Sequence, residues 1–143
     1  MSNDFANEVK MTNLNEQLER LKETKDSIER NALAVTVTET GDPSVIAVLV
    51  ELIDRPDLSN QRATLVNCLG KFDCSNKFLW LVNLVCQGNW EVAHEAFDIL
   101  ADIESVDSNE AKQGFDVLSK TLDSSAIDDW RETLVTDLLA MFD

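Results

Sequence analysis

The chain is short of the residues that most enzyme chemistry needs. Histidine occurs once, at His94, in 143 residues. A zinc-binding helix needs two histidines one turn apart, so Glu91-Val92-Ala93-His94-Glu95 is not such a motif. No serine or cysteine elbow and no Gly-rich turn stand near His94 to make a nucleophile site. The four glycines form no phosphate-cradling loop, and the acids fall into no calcium-loop spacing. The expectation is a protein that is not an enzyme, with no catalytic residue, no metal ligand and no cofactor. The three cysteines, Cys68, Cys74 and Cys86, are an odd number at no metal-ligand spacing. Cys68 and Cys86 fall within apolar helical faces, which suits small buried thiols in a reducing cytoplasm. The longest apolar run, Val45 to Ile53, is too short for a bilayer and contains Glu51. The start, Met1 to Phe5, has neither the basic nor the apolar region of a signal peptide, so a cytoplasmic protein is expected.

Cations are scarce as well. Lys and Arg total 12 against 27 Asp and Glu, a net charge of −15. That charge repels nucleic acid and anionic membrane surfaces and disfavours both as direct partners. It favours a basic protein partner, captured quickly through the long-range field. The same acids would also serve simply to keep a small protein soluble. A hydrophobic content of 44% over 143 residues supports one folded domain with its own core.

What the chain does contain is a repeat. Val48-Leu49-Val50-Glu51-Leu52-Ile53 matches Trp80-Leu81-Val82-Asn83-Leu84-Val85 at an offset of 32 residues, with one polar residue at the same place in each. After each run comes a break, Arg55-Pro56-Asp57-Leu58 and then Gln87-Gly88-Asn89-Trp90. A second pattern follows each break. Leu65, Cys68, Leu69 and Phe72 match Ala96, Ile99, Leu100 and Ile103, spaced as one face of a helix. A two-helix unit of about 30–40 residues is the signature of an α-solenoid. The expected fold is therefore all-α: an α-solenoid of about three antiparallel helix hairpins, with residues 1–42 as an N-terminal helical cap. Repeats over 43–72 and 76–104 follow, then a degenerate third over 107–143.

In chain order, Met1 to Met11 reads as a loose start. A helix begins at Asn13, with Leu14, Leu18, Leu21 and Ile28 as a stripe. The stripe suits a cap on the solenoid, and a coiled-coil seam is the alternative. Asn31 to Thr40 reads as helix or helix end, although Val35-Thr36-Val37-Thr38 alternates like a strand. Gly41-Asp42-Pro43 marks a boundary. Helices are expected over Pro43 to Asp54, Asn60 to Lys71 (capped by Asp57 or Ser59), Asn76 to Cys86 (capped by Ser75) and Trp90 to Ile103 (capped by Asn89). The first and third of these are apolar almost all round, hence buried. Asp107 or Ser108 caps a helix to Leu122 with Ala111, Phe115, Leu118 and Leu122 inward. The last helix, Ala126 to Phe142, carries Ile127, Trp130, Leu134, Leu138 and Met141 on one face, with Asp128, Asp129 and Glu132 in its front turn, where negative charge is favoured. Trp80 and Trp130 read as structural. Trp90 reads as partly exposed, either a hinge-filling aromatic or a binding hot spot.

The segment from Leu81 through Gly88-Asn89-Trp90 to Val92-Ala93-His94-Glu95-Ala96-Phe97-Asp98-Ile99-Leu100 resembles a HEAT-type helical repeat: an apolar helix, a glycine break and a second helix. Ala93 stands where such repeats carry a basic residue, so the inter-repeat ion ladder is not expected. In size, acidity and repeat type the chain also resembles immunity proteins of bacterial polymorphic toxin systems, including contact-dependent inhibition. This second resemblance implies a cytoplasmic immunity protein, monomeric when free, that binds and neutralises a basic toxin domain such as a nuclease. Carboxylates would take the place of the phosphates that a nuclease cleft holds. A non-inhibitory helical-repeat adaptor or scaffold is the alternative. The second helix of such a hairpin lines the inner surface, which implies a partner-binding set of Trp90, Glu91, His94, Glu95, Asp98 and Asp102, joined by Asp128, Asp129, Glu132 and Asp137 of the last helix. The alternative is that these are the solvated backs of two amphipathic helices.

Overall fold

The structure is a computed structural model and describes residues 13–141. The reading of Met1 to Met11 lies outside the described residues. Among those described, the chain forms eight α-helices and no strand. It divides into two compact units, Met1–Phe72 and Asp73–Asp143.

The first unit holds α1 (Leu14–Glu23), α2 (Ser27–Thr38), α3 (Ser44–Ile53) and α4 (Ala63–Leu69). In α1, Asn13 caps the start, its side chain accepting from the Glu16 N–H. The leucine stripe ends sooner than expected. The helix stops at Glu23, and Asp26 starts a new one by accepting from the N–H groups of Ile28 and Glu29. Ile28 thus sits in the first turn of α2, 80% exposed, while Leu18 and Leu21 are buried. The alternating segment from Val35 to Thr38 is helical, and Ala34 and Val37 turn inward. Asp42 accepts from the Ser44 N–H at the head of α3. α4 is shorter than expected and has no side-chain cap from Asp57 or Ser59. Pro56 instead opens a 3₁₀ turn, Pro56–Leu58, since proline fits a first turn where no N–H is needed.

The second unit holds α5 (Phe78–Gln87), α6 (Trp90–Ala101), α7 (Ser108–Leu122) and α8 (Asp129–Met141). A 3₁₀ turn, Ser75–Lys77, precedes α5, and Asp73 rather than Ser75 supplies the side-chain oxygen, accepting from the Ser75 N–H. Asn89 and Asp107 cap α6 and α7 as expected. α7 is rotated from the expected facing. Gly114 and Leu118 are buried and Phe115 is 42% exposed. The reason is Phe78, wholly buried, whose ring lies against Gly114 and occupies the space a side chain there would need. In α8, Leu134, Val135 and Leu138 are buried and Met141 is half-exposed, so the inward face ends a turn earlier than expected.

The packing order is the same in both units. α1 packs on α2 and α3 on α4, with α1 against α3 and α2 against α4. Likewise α5 packs on α6 and α7 on α8, with α5 against α7 and α6 against α8. Each unit thus pairs two hairpins, first helix to first and second to second. The apolar runs that repeat in the sequence fill the two cores: Leu49, Leu52 and Ile53 in one unit, and Leu81, Val82 and Val85 in the other, are all fully buried. Each such side chain contributes about 1.5–3 kcal/mol relative to exposure.

Arginine has a specific use here. Four of the five arginines reach helix-end carbonyls: Arg30 donates to Thr24 O, Arg55 to Lys22 O, Arg62 to Ile53 O, and Arg131 to Val85 O. Those carbonyls carry the negative end of the helix dipole and lack partners within the helix. A planar guanidinium can satisfy them while its stem packs on apolar surface. Scarce positive charge is thereby spent internally, and the acids outside are left in excess.

Among the described residues, no disulfide joins the three cysteines. Cys68 and Cys74 are buried, and Cys86 is half-buried. Burial pushes all three thiols up from their ordinary value. The folded chain therefore holds these protons to higher pH than the unfolded chain does. The associated stability is fully present below about pH 8.5 and falls as pH rises past it. The urea midpoint should stay level between about pH 7 and 8 and drop by about pH 9.5. A midpoint that holds at the higher pH would mean the thiols ionise as readily folded as unfolded.

Candidate partner-binding site

The site begins at a glycine with no room for a side chain. Gly88 closes α5, its N–H donating to Leu84 O at 2.8 Å. A Cβ there would stand 2.5 Å from Leu84 O and 2.8 Å from Val92 Cγ1. The chain turns, and Asn89 starts α6 by accepting from the Val92 N–H at 3.0 Å. This cap fixes Trp90 as the first residue of the helix. Val92, Ala93, Ala96 and Leu100 take the buried face, so Trp90 is left 55% exposed.

One turn on, His94 lies over Trp90 with ring centroids 4.1 Å apart. Its Nδ1 is 2.7 Å from Trp90 O. A carbonyl can only accept, so Nδ1 carries the hydrogen. His94 also meets Trp130 of α8, with ring centroids 5.7 Å apart, because α6 and α8 pack together. The Arg131 guanidinium stands 4.4 Å from the Trp130 ring centroid. It also donates to Val85 O at 2.6 Å and Gly88 O at 2.9 Å. Four side chains therefore form one row: guanidinium, indole, imidazole, indole. Arg131 closes it at one end, and the exposed Trp90 ends it at the other. His94 serves here as a spacer between two rings, with its Nδ1 hydrogen spent on its own helix.

The expected acids divide by position. On α6, Glu91, Asp98 and Asp102 are exposed and Glu95 is half-buried. Their spacing of four, three and four residues makes one stripe. At about 100° per residue, Glu91, Glu95 and Asp102 lie on the shoulder of α6 away from His94, with Asp98 between. On α8, Asp128, Asp129, Glu132 and Asp137 are exposed. Glu132 lies two residues from Trp130, about 200° round the helix, so it does not join the aromatic row. The structure thus brings Trp90 and His94 together and adds Trp130 and Arg131, which sequence reading had placed in the core or passed over. One local signal marked Arg131. It is the single cation in the acid-rich front turn of a helix, where the dipole disfavours positive charge, so another partner must hold it.

Charge is unevenly shared. Residues 73–143 carry fifteen acids against four Lys and Arg, so −11 of the −15 lies in the second unit. Of those four cations, Arg131 is turned onto carbonyls and Trp130. Among the described residues, no group of three or more His, Cys, Asp or Glu could hold a metal ion, and no helix is long and apolar enough to cross a membrane. The first unit has a shallow open groove along α1, lined by Glu16, Glu19, Glu23 and Glu29. Its Arg20 is already paired with Glu29 at 3.0 Å. Comparisons with protein-family models, curated proteins and solved structures gave no match to this chain.

Proposed function

We propose that the chain is a binding protein for a basic protein domain, and that it acts as a cytoplasmic immunity protein neutralising a toxin domain such as a nuclease. One observation carries this reading. The unit with the exposed Trp90 is also the unit that holds −11 of the net charge. A large aromatic over half exposed in an otherwise well-filled fold is the usual form of a binding anchor. An acidic surround gives fast capture of a basic partner and selects against acidic ones. The hairpin-on-hairpin packing within each unit supports a HEAT-like solenoid as the scaffold, an architecture that presents surfaces for binding.

The test is capture of the cognate domain by tagged protein, followed by assay of that domain's activity. A basic domain is expected to bind at low salt, to be released or slowed as salt rises, and to lose its activity at one equivalent. A bound partner that keeps full activity would exclude neutralisation and leave a docking adaptor. A neutral or acidic partner held regardless of salt would exclude the electrostatic basis altogether.

A further inference from the structure

We infer that the exposed Trp90 indole is the seat for an arginine side chain of the partner, a deepening that rests on the basic-partner reading above. The row described above is closed at one end by a guanidinium, Arg131, 4.4 Å from the Trp130 centroid. At the other end Trp90 is 55% exposed. His94 holds that ring from one side at 4.1 Å, and its Nδ1 bond to Trp90 O at 2.7 Å ties the imidazole to the same turn. The indole is thus held in place before any partner arrives, so little side-chain freedom is lost on binding. An indole face attracts a cation through its quadrupole. A guanidinium can lie flat on the ring and still direct N–H groups outward, which an ammonium cannot. Glu91, the next residue and exposed, is a carboxylate available to such N–H groups. The filled end of the row shows this chemistry within the chain: Arg131 lies by its indole and donates to two carbonyls at once.

The experiment uses the full chain and two probes of equal charge, a hexa-arginine and a hexa-lysine peptide, titrated by calorimetry at low salt. The arginine peptide should bind roughly two- to five-fold more tightly. Trp90→Leu should shrink that preference while keeping the charge-driven binding common to both peptides. Trp90→Phe, which keeps a ring, should retain part of it. Equal affinities in the unaltered protein, or a preference unchanged in Trp90→Leu, would overturn the arginine seat and leave the basic-partner reading standing. Failure of both peptides to bind would overturn that reading and the seat with it.

Discussion

Phe78→Ala should lower the unfolding free energy by about 3–5 kcal/mol, the cost of emptying a filled aromatic site. Phe78 is the first residue of α5 and is fully buried. Its ring lies on Gly114 of α7, and a Cβ at Gly114 would stand 2.9 Å from Cζ and closer still to Cε2. Gly114→Ala therefore meets two opposed effects. Alanine favours the helix by about 0.8–1 kcal/mol over glycine. Forcing a methyl into a filled core costs about 1–3 kcal/mol. The ring is rigid and enclosed, so it cannot swing clear, and a net loss of about 1–2 kcal/mol is expected. The combination Phe78→Leu with Gly114→Ala separates the causes. Leucine lacks the ring atoms that obstruct the methyl, so the two losses should fall short of their sum by about 1 kcal/mol in urea denaturation. Strictly additive losses would show that the ring does not fill the space over Gly114.

Arg131→Ala should cost about 2–4 kcal/mol, from two charge-assisted hydrogen bonds and a cation–π contact. The guanidinium joins the front of α8 to the end of α5 through Val85 O and Gly88 O, and it stands by Trp130. Its removal leaves both carbonyls short of these bonds in a part-buried place. Arg131→Lys should recover only part of the loss, since one ammonium cannot meet both carbonyls and lie along the indole. The near-ultraviolet circular dichroism of the tryptophans should change in parallel, because the row from Trp130 to Trp90 loses its fixed end. A lysine variant as stable as the parent, with unchanged tryptophan signals, would reduce Arg131 to a nonspecific charge.

Much of the helix content was legible in the sequence because its signals are local. The buried helices α3 and α5 could be read from their all-round apolar composition, and the caps Asn89 and Asp107 from single residues before periodic segments. These depend on contacts three or four residues away, which spacing alone specifies. The break after Glu23 was less legible. The leucine spacing ran on to Ile28, whereas the Asp26 cap, itself a local device, started a new helix there. The exposed state of Trp90 could also be anticipated, since a residue fixed just after a cap on the polar side of α6 has nowhere inward to go.

The rotation of α7 could not be read from its own residues. Its pattern offers Phe115 as the larger inward group, and only the ring of Phe78, 36 residues earlier, makes Gly114 the better fit. Nor could the sequence say where the arginines go. It showed that cations are few, but which carbonyls they reach depends on helix ends brought close by packing. The row from Arg131 through Trp130 and His94 to Trp90 has the same origin. Its members come from two helices about 40 residues apart and meet because the buried faces of α6 and α8 must exclude water together. Chain-local propensities set where helices start and stop. The volumes and unsatisfied polar groups of distant helices decide which way each one turns, and so which side chains form a site.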